Sequence, residues 1–287
     1  MRGSSGCTLS SGNRNLLSMT YDLKDLREIV VAAAAEELLP RFARVERSHK
    51  ADGSVLTEAD LAVQERVAAQ LQERWPDTVF LGEEMPAGEQ QALLLSDNPV
   101  WCLDPLDGTR NFSSGIPYFC VSLALLQGGA VSIGIVYDPV RDECFAASRG
   151  QGALLNDDVL AVIPAGLALK QTTALIDFKR LDAALATRLV TEIPFASQRS
   201  FGSVALDWCW LAAGRCHLYL HGHSNIWDYA AGELIHREAG GFACTLDGEP
   251  VFSRSLVPRS SVGAVDAPLF RAWTDWLGTR PGTDPVS

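Results

Sequence analysis

Apolar residues recur at helical spacing from Leu23 through Leu26, Ile29, Val30, Ala33 and Leu38, and Pro40 ends the pattern. A first amphipathic helix is the result. Thr57 with Asp60 three residues later matches a capping box, so a second helix is predicted from there, with Leu61, Ala68, Leu71 and Trp75 on its buried side and Pro76 as its stop. Between them, KADGSVLTEAD carries an Asp-Gly-Ser turn.

The pattern then shortens. TVFLGEEM reads as a buried strand ending at Gly82, and NPVWCLDP as another ending at Asp104. From Tyr118 to Asn156, three β-rich runs separated by Gly-Gly and Asp-Pro predict an antiparallel meander. Further on, ATRLVTEI and SVALDWCWLAAG read as helices, RCHLYLHG as a strand, and WDYAAGELIHREAGG as a helix closed by Gly240 and Gly241. This is an α/β chain with no repeat and no Pro-rich linker. The reading divides it into an N-terminal α+β part, 21–150, and a C-terminal α/β part, 151–287. Residues 1–20 are polar and aperiodic, without the apolar core of a signal peptide, and are expected to be a disordered tail or an expression leader.

Composition narrows the function. The 287 residues can bury a sizeable core, and no apolar run approaches the length of a membrane span. The seven cysteines form no CxxC pair and sit in apolar segments, which predicts reduced thiols and a cytoplasmic setting. A net charge of -11 without a Lys/Arg cluster argues against a nucleic-acid surface. An acidic protein that handles anions needs local compensation, and a bound cation is one source of it.

The candidate chemistry is carboxylate-rich. Glu83 and Glu84 follow one strand, Asp104 and Asp107 flank Pro105 and Leu106 at the end of the next, and Asp228 lies in the first turn of a helix. Like charges gathered without a counter-ion repel one another and take up protons, whereas divalent cations with hard oxygen ligands remove the conflict. The proline restricts the Asp104–Asp107 loop, so that both carboxylates and the Leu106 carbonyl can converge on metal. Gly108 and Thr109 can present backbone N–H groups to a phosphate, with the positive end of a helix behind them. A plain Asp-Pro, Asp-Gly turn is the competing reading of this hexapeptide, as helix capping is for Thr57 and Asp60.

Taken together and in order, GEE, DPLDGTRNF and WDYAAG resemble the inositol monophosphatase family, part of a larger group of Mg²⁺-dependent, lithium-sensitive phosphatases. The resemblance spans most of the chain, from KADGSVLTEAD through GQGALLN and RSFGSVALDWCWLAAGR to the glycine pair at 240–241. It implies a layered α/β/α/β/α sandwich, homodimeric, and hydrolysis of a small phosphate ester with two to three Mg²⁺ ions or Mn²⁺ in their place. It further implies that Glu83, Asp104 and the Leu106 carbonyl hold one ion and Asp104, Asp107 and Asp228 a second. Thr109 and Asp60 would orient and deprotonate the attacking water, with Glu84 and Lys50 as outer groups. Gly108 and Thr109 would hold the phosphate, and Ser203 and Val204 would line the substrate pocket.

One departure touches the substrate. Seven residues before Asp228 the chain has His221, where the inositol phosphatases carry a glutamate that contacts sugar hydroxyls. His221 can bind a hydroxyl or, if protonated, a second anionic group; with His223 it could also form an H-x-H metal site. A sugar or polyol phosphate is expected, with histidinol phosphate and fructose 1,6-bisphosphate as alternatives, and a regulatory protein acting through partners as a different class. A generic acidic Ca²⁺-binding module is the poorer reading, since a D-x-D-x-D-G loop is absent.

Overall fold

The structure is a computed structural model that describes residues 21–44, 48–49, 55–83 and 85–282, with only strand pairing given at 48–49 and 55–56. Residues 1–20, Lys50 and Glu84 lie outside the described residues. The chain opens with α1 (Leu23–Ala33), capped by Asp22, which widens into a π turn at Ala34–Leu38 and closes in a 3₁₀ turn at Leu39–Arg41 containing Pro40. A short antiparallel pair, β1 (Ser48–His49) and β2 (Val55–Leu56), leads into α2 (Glu58–Arg74), and the Thr57–Asp60 capping box is present.

Seven strands then form the first sheet: β3 (Val79–Gly82), β4 (Val100–Asp107), β5 (Cys120–Gln127), β6 (Ala130–Asp138), β7 (Glu143–Ser148), β8 (Ala153–Leu155) and β9 (Asp158–Leu160). They lie side by side in chain order. Only β3 and β4 are parallel, joined by α3 (Ala87–Leu95); from β4 onward neighbours are antiparallel, and α4 (Thr109–Ser114) fills the β4–β5 connection. The expected meander is β5–β6–β7, with Gly128 and Gly129 at positive φ in its first turn.

A second, five-stranded sheet has the order β11-β10-β12-β14-β13, built from β10 (Thr173–Asp177), β11 (Ser197–Arg199), β12 (Leu218–Ser224), β13 (Phe242–Cys244) and β14 (Arg259–Ala264). Its helices are α5 (Ala183–Glu192), α6 (Val204–Ala212), α7 (Ile226–Glu238) and α8 (Ala267–Leu277). α1 and α2 cover one face of the first sheet, α6 and α7 lie between the sheets, and α8 covers the far face of the second. This is the layered α/β/α/β/α sandwich.

Burial explains why the strands show no polar face. β4 is buried along its whole length: Trp101 and Leu103 join the core under α1 and α2, while Val100 and Cys102 join the core between the sheets. β5 divides the same way, with Val121, Leu123 and Leu125 on one side and Cys120, Ala124 and Leu126 on the other. A sheet covered on both faces erases the alternation that a half-exposed strand displays. All six described cysteines are free and buried.

Three points differ from expectation. Leu61, expected on the buried side of α2, is 43% exposed and Ala68 is only partly buried, because Val63 and Val67 turn toward the core instead. β4 runs to Asp107, beyond Asp104, because a bulge between Asp104 and Asp107 takes up Pro105, which has no N–H to give to the ladder. The chain also continues past α7 through β14 to α8, whose Leu269, Phe270 and Trp273 are buried. No expectation from sequence covered β1, β2, β9, β10, β11, β13, β14, α3 or α8.

The packing of α7 on β6 is close. A Cβ built at Gly134 would stand 2.7 Å from the Ala231 carbonyl oxygen, and one built at the next helix residue, Gly232, would stand 2.7 Å from the Trp208 Cβ, so α7 has little room to retreat. Gly134→Val is therefore expected to destabilise the fold by about 2 kcal/mol or more through overpacking. Gly88→Ala, facing open space in α3, is expected to be neutral or to gain up to about 1 kcal/mol. Urea unfolding of the two variants checks the contrast, which fails if they differ by less than the error of the measurement.

Candidate functional site

A cavity of about 350 Å³ opens where the end of β4, the start of α6, the start of α7 and the C-terminal ends of β10 and β12 meet. It is lined by Glu83, Asp104, Leu106, Asp107, Gly108 and Thr109 from the first sheet, and by Ser203, Val204, His221 and Asp228 from the second half of the chain. Ten of the residues singled out from sequence therefore share one space. Asp60 stands behind it, linked through Thr109.

Each aspartate is held by local backbone. Asp104 Oδ1 accepts from the Leu106 N–H at 3.0 Å across the bulge. Asp228 is the third residue of α7, and its Oδ2 accepts from the Asn225 N–H at 2.8 Å. Asp60 holds the equivalent position in α2: its Oδ2 accepts from the Thr57 N–H at 2.8 Å and from the Thr57 hydroxyl at 2.7 Å. Capping and a second role coexist there, since Asp60 Oδ1 lies 3.4 Å from Thr109 Oγ1. That hydroxyl sits closer to the Leu106 carbonyl, at 2.9 Å, and one proton serves only one acceptor at a time. Asp107 Oδ2 accepts from Ser203 Oγ and from the Ala205 N–H, both at 2.7 Å, at the start of α6. A carboxylate there meets the positive end of the helix dipole.

These bonds do not offset the burial. Loss of hydration, with Thr57's hydrogen bonds opposing it and Glu83 adding to it, raises Asp60 to about 6. Asp107 is likewise raised to about 6, chiefly by burial. Asp104 and Asp228 are pushed well above the ordinary carboxylate range by burial first, then Asp104 by Glu83, Asp107 and Asp228, and Asp228 by Asp107 and Glu83. Two other buried acids show how the fold normally resolves such a conflict: Asp138 has Arg141 at 2.7 Å and Glu233 has Arg237 at 3.2 Å. Among the described residues, Asp104, Asp107 and Asp228 have no Lys or Arg at ion-pair distance.

The donor set suits a hard divalent cation: carboxylates from three segments, a backbone carbonyl and no thiolate. Among the described residues, no three His, Cys, Asp or Glu side chains are drawn together tightly enough to form a closed metal cluster. The carboxylates thus line the cavity and leave space within it.

The histidines do other work. His221 Nε2 faces Asp177 Oδ2 at 3.6 Å, across parallel partners of β10 and β12. His223 has both ring nitrogens engaged by Arg180, Nδ1 with its carbonyl at 3.1 Å and Nε2 with its guanidinium at 3.2 Å. An H-x-H metal site would need those nitrogens free.

Sequence reasoning missed Asp177 and Asp207, which also line the cavity. A signal for each was present. Asp177 ends the apolar run Ala174–Ile176 as Asp104 ends its own, and Asp207 is a lone acid inside an apolar helix, where it accepts from the Tyr118 hydroxyl at 2.9 Å.

The sequence pattern of the inositol monophosphatase family matches residues 18–273. Inositol monophosphatase 1 of Solanum lycopersicum is 38% identical over 199 residues, 67% of this chain and 72% of that protein. Nus factor SuhB of Pasteurella multocida is 37% identical over 210 residues, 69% of this chain and 74% of that protein. Among solved structures, an IMPase of Thermotoga maritima superposes with a TM-score of 0.76 at 25% identity, covering 89% of this chain and 97% of its own. Agreement of the family pattern, the relatives and the layered architecture leads to one conclusion: the chain belongs to the inositol monophosphatase family.

Proposed function

We propose that this protein is a Mg²⁺-dependent phosphomonoesterase acting on a small sugar or polyol phosphate. The observation that carries the reading is that Asp104, Asp107 and Asp228 are buried around one cavity and, among the described residues, have no Lys or Arg at ion-pair distance. Glu83, Asp104 and the Leu106 carbonyl would hold one ion, and Asp104, Asp107 and Asp228 a second, with room for a third near Glu83. When bound, Mg²⁺ supplies neutralising charge and Lewis acidity toward phosphate and water oxygens.

The chain's own groups position the reactants. Gly108, at φ +96°, turns the backbone into α4, so that the Gly108 and Thr109 amides can take a phosphate oxygen. Thr109 can rotate its hydroxyl from the Leu106 carbonyl to Asp60, which then accepts the proton of an attacking water passed through Thr109. A carboxylate raised to about 6 is a better base near neutrality than an ordinary one. Ser203 fixes Asp107, Val204 offers an apolar wall to the substrate's carbon skeleton, and His221 contacts its polar edge. Glu84 and Lys50, outside the described residues, keep the outer roles implied by resemblance. Six free cysteines support a reducing, cytoplasmic setting, and a homodimer and lithium sensitivity belong to the same reading.

A second reading is favoured by the relatives named Nus factor SuhB: a regulatory role through a partner. The two separate cleanly, because a role of that kind survives loss of catalysis.

Asp107→Asn or Asp228→Asn is expected to lower Mg²⁺-dependent phosphate release at least about a hundredfold, the effect of removing several kcal/mol of charge stabilisation. Circular dichroism should be unchanged. Turnover retained in both variants would count against the phosphatase reading.

A second expectation concerns stability. Asp60 and Asp107 have folded-state values near 6 against 3.8 for the free side chain, so the folded protein binds protons more tightly than the unfolded chain. Their contribution to stability is complete below pH 4 and is lost as pH rises through 6. Saturating Mg²⁺ should therefore raise Tm more at pH 7.5 than at pH 5, by roughly 5 °C. Calorimetry with Mg²⁺ and with EDTA measures the difference; equal gains at both pH values would contradict it.

A further inference from the structure

The part of the cavity lined by the second sheet carries, beside His221, the side chains of Asp177, Lys179, Arg180 and His223, which the proposed hydrolysis does not use. β10 ends at Asp177, and a 3₁₀ turn, Phe178–Arg180, places Lys179 and Arg180 at the cavity beside His221 and His223 of β12. The turn is locked there. His223 grips Arg180 through both ring nitrogens, and Gly222 lies so close to the Arg180 carbonyl that a side chain at 222 would collide with it.

Charge and hydrogen-bonding capacity on this wall are lopsided. Asp177 is the acid in direct contact with these side chains, and one oxygen, Oδ2, already serves both Lys179 Nζ at 3.2 Å and His221 Nε2 at 3.6 Å. Arg180 has only the His223 ring as a partner and no carboxylate at ion-pair distance among the described residues. Within this contacting group alone, Lys179 and Arg180 against Asp177 leave one positive charge in excess, with Asp207 and Asp228 farther along the cavity. Donors therefore outnumber acceptors, the reverse of what a ring of neutral hydroxyls needs. A guanidinium hydrogen-bonded to a histidine at a cavity wall suits a planar or tetrahedral oxyanion.

Resting on the phosphatase reading above, we propose that Arg180, supported by Lys179, His221 and His223, forms a subsite for a second anionic group on the alcohol part of the substrate. The ester cleaved would then be a phosphate whose leaving alcohol itself bears a phosphate or a carboxylate. Arg180 is the specificity-determining contact, while His223 and Gly222 position it.

The competing role for Arg180 is as a distant counter-charge to Asp228, whose acidity its field assists weakly. Paired substrates separate the two. Fructose 1,6-bisphosphate against fructose 1-phosphate tests an added phosphate, and 3-phosphoglycerate against glycerol 3-phosphate tests an added carboxylate. The expected result is a kcat/KM at least about tenfold higher for the anionic member of one pair, the worth of one charge-assisted hydrogen bond. Arg180→Gln should bring that ratio close to one. Arg199→Gln, which removes a cation outside the cavity, should leave it unchanged. A counter-charge role would lower both members of a pair together and keep their ratio.

Failure of the two readings looks different. If no ester in the panel is turned over, the phosphatase reading falls. The subsite is then judged by calorimetric binding of the same pairs with Ca²⁺ in place of Mg²⁺, where the anionic member should bind about tenfold tighter in the wild type and not in Arg180→Gln. Equal handling of both members by the wild type, or a ratio untouched by Arg180→Gln, overturns the proposal.

Discussion

The constraint on which this structure turns is electrostatic: carboxylates from β4 and α7 converge on one cavity beside Glu83, and among the described residues the buried Asp104, Asp107 and Asp228 have no Lys or Arg at ion-pair distance. Taking them out of water raises their proton affinity, and mutual repulsion adds to it. Local backbone N–H groups relieve part of the cost at Asp104 and Asp228, and the start of α6 relieves part at Asp107. The remainder is unresolved within the protein itself. Asp138 and Glu233, each with an arginine at hand, mark the difference between an acid that the fold has neutralised and one left open to an external cation.

Architecture makes that arrangement possible. α6 and α7 are held between two sheets, and the close contacts at Gly134 and Gly232 fix α7 against both β6 and α6. The first turns of both helices consequently point their N–H groups and Asp228 toward the end of β4. The bulge at Pro105 does the complementary work on the first sheet: it turns Asp104 and Asp107 together and frees the Leu106 carbonyl from the ladder. Two of the site's acids, Asp60 and Asp228, are also the third residues of capped helices. A capping carboxylate spends one oxygen on its own helix and keeps another for neighbours, so positioning and chemistry share a side chain.

Much of this could be read from the chain. The 3.6-residue spacing before Pro40, the Thr57–Asp60 box and the Gly240 stop placed α1, α2 and α7, because each depends on contacts within a few residues. The family resemblance brought Glu83, Asp104, Asp107 and Asp228 into one hypothesis, and the structure places all four around one cavity. The edge strands β11 and β13 escaped notice because three residues carry too little pattern, and β14 because its Arg and Ser residues lack an apolar alternation.

By itself, then, the amino-acid order determined helices α1, α2, α5, α6 and α7, strands β3 to β7 and β12, and that acids end two strands and begin a helix. Tertiary structure alone decided that Asp177 shares its oxygen between Lys179 and His221, that Arg180 clamps His223, and that Asp207 reaches the same cavity. The physical reason is range. Periodicity and capping are set by neighbours along the chain, whereas the charge balance of a cavity is set by side chains up to about 145 positions apart, from Glu83 to Asp228, brought together only when two sheets close over the same pair of helices.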